Sequence, residues 1–156
     1  MLAFFHWFGK LHRRVYAING ALGRRFAWVP CLVLTTTGRK SGARRDSVLA
    51  YADDGDRRVV VASNGGDDRP PAWLLNVQAD PSVAVQVGTE HFDTQALVVT
   101  PADDDYARLW QLVNTVNGNR YDAYQAKTER PIAMVVLARE VLGPARSPSS
   151  GGLAYR

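Results

Sequence analysis

The segment CLVLTTTGRKSGARRDSVLAYADDGDRRVVVAS, residues 31–63, carries the strongest structural signal in the chain. Three parts of it, CLVLTTT, DSVLAYA and RRVVVAS, are rich in β-branched residues and largely alternate between apolar and polar side chains, which is typical of strands. The short segments GRKSG and DDGD separate these parts, and glycine in such polar segments predicts tight turns. The sequence therefore predicts three consecutive strands joined as hairpins.

Beyond residue 63, two short helices alternate with three more strands. The run AWLLNVQA follows two prolines at 70–71 and ends before the Asp-Pro pair at 80–81, which predicts a helix. The sequence TPAD at 100–103 predicts a second helix start. SVAVQV, HFDTQALVV and IAMVVLA are the predicted strands. Six mostly hairpin-linked strands with two or three short helices predict a mainly β (α+β) fold, a small closed or split β-barrel and not a doubly wound sheet.

The two ends of the chain differ from this barrel segment. Apolar residues recur at spacings of three and four near the N-terminus, with basic residues off the stripe, which predicts an amphipathic helix. That helix either packs on the domain or lies on anionic lipid, and its apolar run is far shorter than the ~20 residues of a membrane span. We expect an N-terminal helix at 1–28, a barrel domain at 29–141 and a Pro/Ser/Gly-rich disordered tail at 142–156.

Composition and charge restrict the class of protein. The chain has 156 residues, the length of one domain, and its 46% apolar content excludes a disordered chain. A single cysteine excludes an internal disulfide framework and a cysteine-rich zinc site. The net charge of +4 is uneven, because the first 45 residues hold nine Lys and Arg and no acidic side chain. This asymmetry predicts an anionic partner: nucleic acid, anionic lipid or a polyanionic small molecule.

The basic turn TTTGRKSGARR, residues 35–45, is the first candidate site. Its two glycines allow a ligand to approach the backbone and present amide groups, hydroxyls can donate from Thr37 and Ser41, and four cations converge. This is the chemistry of a phosphate or polycarboxylate cradle, and the alternative is a solvated hairpin with surface charge. No aromatic residue interleaves with the cations to stack on bases, which argues against nucleic acid.

Three other motifs could line a ligand site, and each has an ordinary structural alternative. The segment ASNGG at 62–66 follows a strand and either approaches a ligand or forms a simple loop. Trp73 and Asn76 share one helix face, where a tryptophan such as Trp73 is more often a core residue than a ligand contact and Asn76 needs a hydrogen-bond partner. Tyr121 and Tyr124 either line a pocket for a flat aromatic ligand or cap the barrel.

Features that would support protein-only catalysis are missing from the sequence. The three histidines show no metal-ligand spacing with acidic residues, and no G-x-S-x-G elbow is present. Cys31 has no base beside it in the sequence. If the protein is an enzyme, we therefore expect a cofactor to make and break the bonds.

Three longer runs carry a resemblance to a known family. They are LTTTGRKSGARR at 34–45, VASNGGDDRPPAWLLNVQADPSVAVQVG at 61–88 and YDAYQAKTERPIAMVVL at 121–137. Together they closely resemble the deazaflavin-dependent nitroreductase family, which includes quinone reductases, over about residues 29–140. The set TTTGRKSG with a later GG-x-x-x-x-PAW-x-x-N is highly specific. The resemblance implies an FMN-binding-like split β-barrel that uses coenzyme F420, an 8-hydroxy-5-deazaflavin.

The resemblance also implies site residues. The basic turn would hold the cofactor's phosphate and oligoglutamate tail, the next strand would run beside the deazaflavin with Ser47 and Leu49 touching it, and two later segments would contact it from the other side and close the site. The implied cofactor residues are Arg39, Lys40, Ser41, Arg45, Asp46, Ser47, Val48, Leu49, Ala50, Val61, Ala62, Ser63, Asn64, Gly65, Ala72, Trp73, Leu74, Leu75 and Asn76. Tyr121 and Tyr124 would face the substrate.

The chain departs from the family pattern at three of these positions. Some members carry lysine at the position of Asn64, so one contact to the tail is weaker here. Members also carry proline at the position of Val48 and tyrosine at that of Ala50, and both positions bear on the choice of substrate.

The activity implied is hydride transfer from C5 of the reduced deazaflavin to a quinone or a nitroaromatic compound. Two alternatives stay open: an FMN-using oxidoreductase on the same barrel, and a non-catalytic barrel that binds a cofactor or lipid. The expected partners are a small-molecule acceptor and a second copy of the chain, with no nucleic acid. We expect a cytoplasmic protein. If the basic N-terminal helix lies on lipid and does not pack on the barrel, residues 1–20 make a peripheral contact with the inner face of the membrane.

Overall fold

The computed structural model describes residues 29–139, which form a closed barrel of six strands with three α-helices packed on it. The six predicted strands and the helix at 72–79 are confirmed. The strands are β1 (Cys31–Thr37), β2 (Arg44–Asp54), β3 (Arg57–Val61), β4 (Ser82–Val87), β5 (Glu90–Val99) and β6 (Met134–Ala138). The helices are α1 (Ala72–Ala79), α2 (Tyr106–Val116) and α3 (Arg120–Gln125), and a short 3-10 turn spans Asn64–Gly66.

Around the barrel the strands run in the order β1-β2-β3-β6-β5-β4, and every neighbouring pair is antiparallel. Hairpins join β1 to β2, β2 to β3 and β4 to β5, as the sequence predicts. Pairing of β1 with β4, at Thr35 opposite Ala84, closes the barrel. Closure leaves no free sheet edge, and it brings the turn after β1 close to the helix that precedes β4.

The barrel interior holds the first of two apolar clusters. Alternate residues of β1, such as Leu32 and Leu34, point inward with Val60 of β3 and Val135 of β6, and all four are almost fully buried. Helix α1 closes one end of this interior with three further buried side chains, which are Trp73, Leu74 and Val77. The helix that borders the candidate site is therefore anchored in the core.

The second cluster lies between the outer barrel surface and helices α2 and α3. Val59 and Val61 of β3 and Met134 and Val136 of β6 point outward and pack against it, with Leu109 among their partners. Strand β6 is thus buried on both faces, which explains why its sequence is a continuous apolar run. No helix within residues 29–139 has the length and apolar character needed to cross a membrane.

The second predicted helix start is wrong by several residues, since α2 begins at Tyr106. The Thr100 hydroxyl and the Thr100 N–H both donate to Asp103 Oδ2, at 2.9 Å and 2.7 Å, so the predicted cap closes a separate turn. The sequence allowed for a third short helix, but the position of α3 was not predicted. The predicted helix at 1–28 and the tail at 142–156 lie outside the described residues.

An ion-pair cluster ties the β2–β3 turn to α2. The Asp54 carboxylate accepts hydrogen bonds from Arg108 Nη1 and Nη2, at 2.8 Å and 3.0 Å, and it also pairs with Arg57. The same Arg108 guanidinium binds Asp105. The hydrogen bonds from Arg108, followed by that from Arg57, lower the pKa of Asp54 to about 2.

We expect the Asp54 carboxylate to make the free energy of unfolding depend on pH in the acid range. Because its folded-state pKa lies below the unfolded value of about 3.9, its contribution is present above that pH and is lost as the pH falls towards 2. Asp54→Asn should lower Tm at neutral pH and remove part of the decline in stability between about pH 4 and pH 2. Thermal unfolding across this range is the measurement, and parallel declines in the two proteins would refute the assignment.

Candidate functional site

Eight of the predicted cofactor residues border one cleft between the basic turn and α1. The cleft has a volume of about 260 Å³. Its lining consists of Gly38, Arg39, Lys40, Ser41, Arg45, Ser47, Ala72, Trp73 and Asn76. Three of these side chains are cations and none is an acid. The structure thus brings together residues up to 38 positions apart in a site suited to an anion.

Asn76 joins the two sides of this cleft. Its side chain is 5% exposed, and its Oδ1 accepts hydrogen bonds from Arg39 N at 3.1 Å and Arg39 Nη1 at 3.3 Å. Its Nδ2 donates to Thr36 Oγ1 at 3.1 Å. The prediction that Asn76 needs a partner is confirmed. Because both polar groups of Asn76 bind protein atoms, its side chain holds the basic turn against α1.

The backbone amides of both glycines in the turn form hydrogen bonds within the turn itself. Gly38 N donates to Ala43 O and Gly42 N donates to Gly38 O, each at 2.7 Å, so neither amide points at a ligand. The prediction that the glycines present amide groups is therefore wrong. A Cβ on Gly38 would lie 2.9 Å from Ser41 Oγ and 3.0 Å from Ala43 O, so glycine is needed for the tight turn. Gly38 was not predicted as a site residue, although the GRKSG motif contains it.

The four cations of the turn do not converge, because consecutive residues of β2 face opposite sides of the sheet. Arg45 borders the cleft, whereas Arg44 lines a separate groove of about 360 Å³ on the outside of β1 and β4. That groove is polar and includes Thr35, Ser82 and Asp93. The turn therefore offers three cations to the cleft and one to this other surface.

The same alternation places the predicted cofactor residues of segment 46–50 on two opposite faces of β2. Ser47 and Leu49 pair with the inward-facing Leu34 and Leu32, and Leu49 packs against the interior cluster. Asp46, Val48 and Ala50 occupy the alternate positions of the strand. Among these, Asp46 accepts a 2.6 Å hydrogen bond from Thr35.

The other predicted cofactor residues are not part of the cleft lining, and they differ in burial. Val61, Ala62 and Leu74 are buried in the apolar clusters, so their side chains serve packing. Leu75 and Ser63 are half-buried, and Asn64 and Gly65 are exposed in the 3-10 turn. The assignment of these residues to cofactor contact stays a prediction.

The two predicted substrate tyrosines belong to a row of aromatic rings along α2 and α3. The ring centroids of Tyr106 and Trp110 are 5.7 Å apart, those of Trp110 and Tyr121 6.3 Å, and those of Tyr121 and Tyr124 6.2 Å. Among residues 29–139, the hydroxyls of Tyr121 and Tyr124 have no hydrogen-bond partner. Burial, then the neighbouring Tyr124 and Cys31, raises the pKa of Tyr121 to about 12. Tyr121 is therefore a neutral hydrogen-bond donor at physiological pH.

Helix α3 lies directly against the loop that carries the Asn-Gly-Gly turn. A Cβ built on Gly66 would lie 2.6 Å from the Tyr124 carbonyl oxygen and 3.1 Å from Lys127 Cβ. Gly66 also has a φ of +85°, which L-residues rarely adopt. Close approach and backbone conformation both require glycine at position 66. The loop around Gly66 therefore packs directly against α3, the helix that carries Tyr121 and Tyr124.

We expect Gly66→Ala to be much more harmful than Gly65→Ala. Both positions have positive φ, so each alanine variant should lose about 1 kcal/mol of unfolding free energy. Gly65 has open space around its Cβ position, whereas Gly66 faces backbone, which should add about 1–3 kcal/mol and shift Tyr124. Urea unfolding of the two variants measures the difference, and equal losses would contradict the close packing.

Within residues 29–139 no group of His, Cys, Asp and Glu side chains could hold a metal ion. Cys31 lies exposed at the start of β1, and desolvation raises the pKa of its thiol, so it is not a thiolate nucleophile at neutral pH. The described residues thus combine an anion cleft and a neutral phenol donor, without a metal cluster or a cysteine thiolate at neutral pH.

Comparisons with known proteins agree with this geometry. A family model described as F420H(2)-dependent quinone reductase matches residues 7–139. An F420H(2)-dependent quinone reductase of Mycobacterium tuberculosis is 48% identical over 132 residues, which cover 83% of this chain and 89% of the relative.

Two solved structures are also similar to the chain. One is an F420-H2 dependent reductase with a TM-score of 0.60 and 33% identity, and the match covers 69% of this chain and 92% of that one. The other is described as a domain-swapped dimer, with a TM-score of 0.63, 30% identity, and coverage of 85% and 97%.

Proposed function

The chain belongs to the F420H(2)-dependent quinone reductase family, and on that premise we propose that it transfers a hydride from reduced coenzyme F420 to a quinone. The protein is therefore an oxidoreductase. The observation that carries the proposal is the cleft between the basic turn and α1, with three cations and no acid in its lining.

The residues present fit the anionic part of the cofactor. A phosphate and an oligoglutamate tail need cations and hydroxyl donors, and Lys40, Arg45 and Ser41 supply them from one turn. Asn76 fixes the Arg39 backbone beneath them, so the turn needs little reorganisation when the anion binds. Trp73 borders the same cleft from α1 and offers an apolar wall to the ring end of the ligand.

Coenzyme F420, when bound, supplies a hydride from C5 of its reduced deazaflavin. The protein's contribution is positioning, exclusion of water and stabilisation of the negative charge that develops on the acceptor oxygen. Tyr121 and Tyr124 are the candidate donors to that oxygen, because their hydroxyls have no partner among residues 29–139 and Tyr121 stays protonated. Nitroaromatic compounds are electrophiles of similar shape, and we propose them as secondary acceptors at the same site.

Titration with oxidised F420 and with FMN tests the cofactor assignment. Quenching of F420 fluorescence should report binding at micromolar concentration or tighter, and FMN should bind much more weakly because it lacks the oligoglutamate tail. Equal binding would favour the flavin alternative, and absence of F420 binding would refute the proposal.

We also propose peripheral contact with the membrane through residues 1–20, which lie outside the described residues. Lys10, Arg13 and Arg14 accompany a stripe of apolar side chains in this segment, and the quinone acceptors of membranes dissolve in lipid. Co-sedimentation with vesicles of anionic and of neutral lipid tests the contact. Deletion of residues 1–20 should abolish binding to the anionic vesicles, and unchanged binding would refute membrane contact through this segment.

We further propose a cytoplasmic homodimer, since the similar structure described as a domain-swapped dimer covers 85% of this chain. Light scattering coupled to gel filtration should give twice the mass of the 17.2 kDa chain. A monomer mass at micromolar concentration would contradict the dimer.

A further inference from the structure

One guanidinium group holds most of the loop between β3 and α1. Arg130 Nη1 donates to Ala62 O at 3.2 Å, and Nη2 donates to Ser63 O at 3.1 Å and to Asp67 O at 2.9 Å. Arg130 Nε also approaches Asp67 O at 3.3 Å. These contacts span three carbonyl oxygens of one loop, residues 62–67, which we call the clamp loop.

The backbone around Arg130 is fixed in turn by α3. Gln125, the last residue of α3, donates through Nε2 to Thr128 O and Arg130 O, at 3.1 Å and 3.0 Å, and accepts from Ile132 N at 3.0 Å. Thr128 Oγ1 donates to Asp68 Oδ1 at 2.7 Å, just beyond the clamp loop. Arg130 therefore lies between α3 and the clamp loop and is bonded to both.

We propose that Arg130 is a positioning residue that fixes the clamp loop relative to Tyr121 and Tyr124. The inference rests on the proposed function, in which Tyr121 and Tyr124 donate to the acceptor, and on the prediction that residues 62–65 of the clamp loop contact the deazaflavin. Loop and helix approach so closely at Gly66 that displacement of one moves the other. Arg130 thereby sets the distance between hydride donor and acceptor without touching either.

The side chain at position 130 must be arginine for this role. A planar guanidinium offers five donors in a fixed fork and can reach several carbonyl oxygens at once. A lysine ammonium is a point charge with three donors, and it would leave part of this set unpaired. A misplacement of about 1 Å at a reacting centre can cost roughly 100-fold in rate.

The test compares Arg130→Ala and Arg130→Lys with Arg108→Ala in steady-state oxidation of F420H2 by menadione. Arg108 is a matched control because its guanidinium also makes four hydrogen bonds between two elements, at the ion-pair cluster of α2. Both Arg130 variants should lose roughly 10–100-fold in kcat, while the Kd for oxidised F420 stays near that of the wild type. Millimolar guanidinium should restore part of the kcat of Arg130→Ala, and the control should keep the wild-type kcat with or without it.

The outcomes separate this inference from the proposed function. Absence of F420 binding by the wild type would overturn the proposed function itself. An active wild type with full kcat in Arg130→Lys would overturn the positioning role, as would a kcat loss in Arg108→Ala equal to that in Arg130→Ala. If Arg130→Ala fails to fold, Arg130→Lys, which keeps the charge and the aliphatic stem, decides the question.

Discussion

Replacing Lys40 and Arg45 together with alanine should weaken F420 binding by roughly 10²–10⁴-fold. Each hydrogen bond from a charged group contributes about 1.5–3 kcal/mol, and 1.4 kcal/mol corresponds to a tenfold change in Kd. Both residues border the cleft, and among the described residues Arg39 is the one cation of its lining that would remain. Fluorescence titration at two salt concentrations measures the effect, and the salt dependence of Kd should become weaker in the variant.

Arg44→Ala is the matched control for this prediction. It removes the same kind of charge from the same strand, but Arg44 faces the outer groove and not the cleft. Its Kd for F420 should change by less than about threefold, which is the scale of a screened, distant charge. If Arg44→Ala weakens binding as much as the loss of Arg45, net charge and not the cleft would be responsible.

Replacing Tyr121 and Tyr124 together with phenylalanine should lower kcat/KM for menadione by roughly 100-fold. Removal of one donor to a developing oxyanion typically costs 10²–10³ in kcat, and we expect the lower end of this range. Both rings stay in the aromatic row, so the fold and the cofactor cleft should be unaffected. Measurement of F420 affinity in the same variant, expected to be unchanged, separates acceptor from cofactor effects.

Tyr106→Phe provides the control for the loss of a phenolic hydroxyl. The Tyr106 hydroxyl donates to Ile132 O at 2.7 Å, so it has a structural partner that the other two lack. This variant should lose about 1 kcal/mol of stability with kcat/KM unchanged. Equal activity losses in Tyr106→Phe and in the double variant would contradict a role of Tyr121 and Tyr124 at the acceptor.

The strands of the barrel could be predicted because each is marked by a pattern of neighbouring residues in the sequence. Apolar and polar side chains alternate over 31–37 and 82–87, and prolines at 70–71 and 81 flank α1. The predicted ends of these two strands and of α1 therefore agree with the observed ones. The start of α2 could not be predicted, since the threonine hydroxyl at 100 has a choice of partners and binds Asp103.

The internal architecture of the site was less predictable because it depends on long-range contacts. The Asn76–Arg39 bond joins residues 37 positions apart, and the contacts of Arg130 with the clamp loop span 63–68 positions. No local pattern encodes such pairs. The side on which Arg44 lies follows from strand alternation only once the boundaries and register of β2 are known.

Oxidation of F420H2 by menadione, followed through the absorbance of the oxidised deazaflavin, tests hydride transfer to a quinone most directly. We predict steady-state turnover that depends on protein concentration, saturates with both substrates and falls strongly in the Tyr121→Phe/Tyr124→Phe variant. A protein that binds F420 tightly, yet oxidises F420H2 no faster than a protein-free solution in the presence of menadione, would contradict the account.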